Sequence, residues 1–146
     1  MEHSSSGENY YDYISKNNGS CVGKDREPIQ WVDLAPDICR QRMILEGTLH
    51  NSFDPDDMVK YCKETSEVLN MTSLGEPVTD FAEEYGWCAY MHWKESGMHI
   101  YSWDNRDPKF FSIDIYTCKS FKCLDVVAHT ADFFDEDNLI ELSWKE

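Results

Sequence analysis

Apolar residues recur along this chain with two periods, and the switches between them mark out its elements. "RMILEG" (Arg42–Gly47) reads as a strand. Asp54-Pro55 then opens a helix, with Asp as N-cap and Pro in the first turn. Met58, Tyr61 or Cys62, Thr65 and Val68/Leu69 give that helix one apolar stripe. Residues 70–86, with their Gly, Pro and acids, read as loop or irregular edge structure. Trp87–Trp93 follows with strand alternation: Trp87, Ala89, Met91 and Trp93 on one side, Cys88, Tyr90 and His92 on the other. Met98–Trp103 is the next strand, "WDNRDP" a turn, and "FFSIDIYTC" (Phe110–Cys118) a third strand. Cys123, Val126/Val127, Thr130 and Phe133/Phe134 return to helical spacing, and Leu139–Trp144 closes as a strand. Strands clustered beside two helices predict an α+β fold: a two-layer α/β sandwich, its sheet mostly antiparallel, with helices on one face.

Before this alternation begins, residues 1–38 are rich in Ser, Asn, Gly and acids and read as a flexible polar tail. Tyr10, Tyr11 and Tyr13 lie within it. The folded domain is expected over residues 39–146.

Charge narrows the partners. At a formal net charge of -15 the surface repels phosphate backbones and anionic lipid, so neither nucleic acid nor membrane is expected to bind. A small cationic ligand is compatible with it. The first thirty residues hold no basic segment followed by an apolar run, and no apolar stretch reaches membrane-span length. The expected location is therefore the reducing cytoplasm, with all six cysteines as free thiols. On that expectation the sequons at Asn18 and Asn70 carry no glycan.

Known catalytic patterns are scarce. There is no phosphate-cradling Gly loop, no nucleophile elbow and no HExxH. Cys118-x4-Cys123 with His129 has irregular spacing and no evident fourth ligand, so no metal site is expected. His92 and His129 are assigned to packing or surface. What stands out is "HWKESGMHIYSWDN" followed by "FFSIDIYTC", which sets Ser96 in a tight connection between two strands and Cys118 at the end of a third. As pattern alone, a Ser-Gly connection is ordinarily only a turn.

These residues resemble the small prokaryotic form of S-adenosylmethionine decarboxylase. Glu95-Ser96, "GMHIYSW" and "IDIYTC" follow that family's order of Glu-Ser, a His-containing strand with a Trp, and a strand ending in Cys. "FAEEYGWCAYMHWKES" is similar to the family's lead-in to Glu-Ser, and "ILEGT" to an early strand of its eukaryotic members. The resemblance implies a proenzyme that cuts itself between Glu95 and Ser96, leaving Ser96 as a pyruvoyl cofactor. That group would form a Schiff base with the substrate amine and accept electrons as CO2 departs. Cys118 would return a proton, and the product would serve spermidine synthesis. Cys88 takes the place of a family Ser. Glu46 matches a strand carboxylate, with a solvent-facing place on an edge strand as the other reading. Phe81 and Trp103 would stack on a ligand ring or else pack in the core. A homodimer of cleaved protomers is implied as well.

Departures accompany the resemblance. The processing His is replaced by Tyr101, with His99 two residues back on the same strand face. The ribose-holding Glu falls at Asn105, beside Asp104, and the residue after the cut is Gly97 instead of His. Three functions fit: a self-processing S-adenosylmethionine decarboxylase, a pyruvoyl-dependent arginine or ornithine decarboxylase, and an uncleaved regulatory paralog.

Overall fold

Alternation in the strands is resolved by a single covered face. In the computed structural model, which describes residues 31–146, β1 (Gln41–Leu49) buries Met43, Leu45 and Leu49, while Arg42, Ile44, Glu46 and Thr48 look the other way. β3 (Gly86–Trp93) buries Ala89, Met91 and Trp93, β4 (Ser96–Trp103) buries Met98 and Ile100, and β5 (Lys109–Thr117) buries Phe111, Ile113 and Ile115. All of these side chains join one core with Met58, Tyr61 and Cys62 of α1 (Pro55–Val68) and Cys123 and Val126 of α2 (Cys123–Phe133). Both helices therefore lie on one face, and no described helix covers the opposite face.

With β2 (Val78–Ala82) and β6 (Leu139–Lys145), the sheet has six strands in the order β2-β3-β4-β5-β1-β6, every neighbouring pair antiparallel. This is the two-layer α+β sandwich that the periodicities predict. Within residues 70–86, read as loop or irregular edge structure, β2 is a regular edge strand, and with so little of it buried it carries almost no alternation signal. β1 is not an edge strand: it lies between β5 and β6. Ile38–Glu146 form one unit. Tyr10, Tyr11, Tyr13, Asn18 and Cys21 of the expected tail lie outside the described residues. Among those residues no helix is long and apolar enough to cross a membrane.

Two local structures aim the chain at the β3–β4 connection. Asp54 caps α1 by accepting from the Asp57 N–H at 2.8 Å, with Pro55 opening the helix. At the other end Asn70 N–H donates to Glu67 O and Met71 N–H to Ser66 O, at 3.0 and 2.8 Å. That pair of bonds is a Schellman motif, with Asn70 at φ 53° in the place glycine usually takes. The chain then runs back as residues 70–74 along the end of β3, through a bridge between Ser73 and Trp93. Trp93 is fully buried, and its indole N–H donates to Ser66 Oγ of α1 at 2.7 Å.

Candidate active site at the β3–β4 connection

Trp93 pairs with Ser96 across the hairpin, leaving only Lys94 and Glu95 in the loop. Two-residue hairpin loops favour positive φ at the loop residues themselves. Here Asn70 and Ser96 are the only non-glycine residues among those described with positive φ, so the unusual angle falls on Ser96, at 125°. Holding a side-chain-bearing residue there costs about 1–3 kcal/mol and persists only where surroundings over-determine it. They do so here. Ser96 also pairs with Thr117 of β5, the Lys94 N–H donates to Thr72 O, and the Leu74 N–H donates to His92 O.

The carbonyl before Ser96 is held as firmly. Its oxygen, Glu95 O, accepts from the Cys118 backbone N–H at 2.8 Å. The Glu95 carboxylate accepts from the Thr72 N–H, at 3.0 and 3.1 Å to its two oxygens. Desolvation works against ionising this carboxyl, but the Thr72 hydrogen bonds, with a smaller pull from the Lys119 cation, hold it below the usual carboxylate range. Glu95, Ser96 and Cys118 thus meet at one point, with the Cys118 side chain exposed.

The remaining candidates sit elsewhere. Cys88, Tyr101 and Glu46 share a transverse row of the open face that runs Asp80, Cys88, Tyr101, Ser112, Glu46, Ser143 across all six strands. Glu46 is half-buried on an interior strand, which replaces the edge-strand reading. His99 stands in the next row, its ring stacked 5.7 Å from that of Tyr101 and 4.5 Å from Tyr90. An aromatic line continues through Trp103, 6.3 Å from Tyr101, to Phe110 at 5.0 Å. Tyr101 is 44% exposed, so this face holds rings with no cover from the described chain.

Seven residue steps of extended strand separate Trp103 from Ser96, about 23 Å. Beyond Trp103, Asn105 Nδ2 donates to Glu84 O at 2.8 Å and the Asp104 N–H donates to Tyr85 O at 2.8 Å, pinning the two hairpin ends together. Asp104 Oδ1 is buried with no partner. Asn105 thus commits its amide donor to the hairpin, while Asp104 adds a carboxylate beside it. Phe81 joins none of these groups: it packs on Trp87, 5.2 Å away, on the helix side of the edge strand, opposite the face that carries Trp103.

The family model for S-adenosylmethionine decarboxylase matches residues 48–141, from the end of β1 into β6. The chain belongs to this family. No individual curated protein matches it. Gly97 shows why this S-adenosylmethionine decarboxylase family member departs from the motif after the serine: a Cβ there would lie 2.5 Å from Met91 O, so a His side chain has no room on this backbone.

Periodicity could not reveal the Thr72 and Lys119 contacts to this connection. Asn70-Met71-Thr72 registers in the sequence only as a sequon. An Asn just past an apolar helical stripe is the one signal that marks it as a helix stop.

Proposed function

We propose that this chain is a self-processing, pyruvoyl-dependent decarboxylase, cut between Glu95 and Ser96, that acts on S-adenosylmethionine and supplies spermidine synthesis. The observation that carries the reading is the pairing of Ser96 at φ 125° with a Glu95 carbonyl already hydrogen-bonded by the Cys118 N–H. Attack of Ser96 Oγ on that carbonyl carbon places developing negative charge on Glu95 O, where a fixed donor lowers its energy. Collapse breaks the Glu95–Ser96 C–N bond, forms an ester and releases the backbone strain at Ser96. Loss of the Ser96 Cα proton to a base expels Glu95 as a carboxylate. Water then replaces the remaining nitrogen, which leaves as ammonia.

The pyruvoyl group so formed supplies an electron sink for loss of CO2. Cys118 Sγ–H, exposed beside the cut, returns a proton to the substrate carbon. Asp104, the carboxylate next to Asn105, takes the substrate's hydroxyls in its place. A substrate that is cationic at sulfur suits a chain of net charge -15.

In one protomer Asp104 lies just past Trp103, and Trp103 is about 23 Å of strand from Ser96. We therefore also propose a homodimer in which two open faces pack about a two-fold axis, setting the Trp103–Asp104 end of one copy over the Ser96 end of its partner. His99 and Tyr101, exposed mid-face, would then be covered. Mixing Ser96→Ala with Asp104→Asn chains tests the arrangement: activity is restored if the site is shared and stays absent if it is not.

Release of CO2 from S-adenosylmethionine, arginine and ornithine, compared side by side, tests the substrate. The tie between Asn105 and Glu84 O favours the second reading, a smaller basic amino acid lacking ribose, and turnover of arginine or ornithine alone would establish it.

A further inference from the structure

Lys119 follows Cys118 on the strap leaving β5, and its side chain reaches across to the loop after α1. Its Nζ donates to Asn70 O at 2.6 Å. The strap is set by Thr117, fully buried, whose hydroxyl donates to Lys119 O at 2.6 Å. Two residues past Asn70, the Thr72 N–H donates to the Glu95 carboxylate, and the Glu95 carbonyl accepts from the Cys118 N–H. These contacts close a ring: Glu95 carbonyl, Cys118, Lys119, Asn70, Thr72, Glu95 carboxylate. Without Lys119 the ring is open at the link between strap and loop, and Glu95 is held from the strap side by its carbonyl alone.

We propose that Lys119 is a positioning residue for self-cleavage, closing a hydrogen-bonded clasp that fixes Glu95 during the cut and retains it afterwards. This rests on the self-processing reading above. Attack on the Glu95 carbonyl requires that carbon to stay within reach of Ser96 Oγ, and a misplacement of about 1 Å costs rate steeply. After the cut Glu95 bears a new terminal carboxylate in addition to its side chain. The Cys118 N–H and the nearby Lys119 charge offset the added negative charge there, and the Lys94 N–H bond to Thr72 O keeps the severed end on the loop after α1. Lys119 itself touches neither reacting atom.

The experiment follows cleavage of the full chain by intact mass for the native sequence, Lys119→Met and Lys119→Arg. In parallel, Thr72 amide hydrogen exchange is measured in uncleavable Ser96→Ala chains with and without Lys119→Met. Lys119→Met should slow cleavage and speed Thr72 exchange about threefold or more, the scale of a partly solvated charge-assisted contact, and Lys119→Arg should restore both. Native cleavage with Lys119→Met equally fast overturns the role of Lys119 alone. Slowing with unchanged Thr72 exchange also overturns it, because the ring is then not the cause. Absence of cleavage in the native chain overturns the self-processing reading and the positioning role together, and the exchange result still shows whether the ring exists.

Discussion

The backbone N–H of Cys118 donates to the carbonyl oxygen of Glu95 at 2.8 Å, joining the end of β5 to the residue just before Ser96. This bond uses the main chain of Cys118 and leaves its thiol free for another task. Cys118→Ala should therefore cleave within a few-fold of the native rate, while its decarboxylation falls by about 10²–10⁴, the usual worth of a positioned proton donor. Intact mass and CO2 release measure the two separately. Loss of cleavage in that variant would contradict the division of labour.

Backbone strain at Ser96 predicts an unusual stability order. Ser96→Gly removes the side chain that disfavours φ 125°, whereas Ser96→Ala keeps a Cβ there. Neither can cleave. The Gly chain should be more stable than the Ala chain by roughly 1 kcal/mol, after the greater freedom of unfolded Gly is set against the relieved strain. Urea denaturation of both tests it, and equal stability would mean the connection is not strained.

Ser66 links the helix layer to the strand that precedes the cut. Its Oγ accepts from the Trp93 indole at 2.7 Å and donates to Cys62 O at 2.7 Å. Ser66→Ala leaves a buried indole N–H without a partner and should cost about 1–3 kcal/mol. The urea midpoint should fall accordingly with the slope unchanged.

His129 gives the helix pair a pH dependence. Its ring stacks 5.1 Å from Tyr61, and its Nε2 lies 3.9 Å from Glu64 Oε2 without a hydrogen bond. Burial lowers its affinity for a proton below the usual 6.5, and Glu64 and Asp132 offset this only in part. The unfolded chain therefore binds the proton more readily than the folded one, so stability is full above about pH 6.5 and declines as pH falls below it. His129→Gln should flatten this part of the profile of Tm against pH. An unchanged slope between pH 7.5 and 5 would show that His129 is not responsible.

Much of the fold is legible in the residue pattern because burial is one-sided. Met43, Leu45, Ala89, Met91, Ile113 and Ile115 fall on alternate positions, and Asp54-Pro55 opens its helix chemically. β2 escapes the pattern, since Val78 and Phe81 are exposed on an edge strand and leave nothing for periodicity to record. At the site, the Cys118 N–H meets the Glu95 carbonyl beside Ser96. Their supports are not legible: the Thr72, Lys119 and Asn70 contacts run between main-chain groups and long side chains, which no spacing rule encodes. The resemblance groups Trp103, Asp104 and Asn105 with Ser96, which a single extended strand keeps apart.

The central claim is the cut itself. Intact mass of the purified chain under denaturing conditions, beside a Ser96→Ala control, measures it directly. The account predicts two fragments divided between Glu95 and Ser96 in the native chain, the second beginning with a pyruvoyl group, and one intact species in the control. A single 17.1 kDa species in both, persistent on incubation, would contradict it.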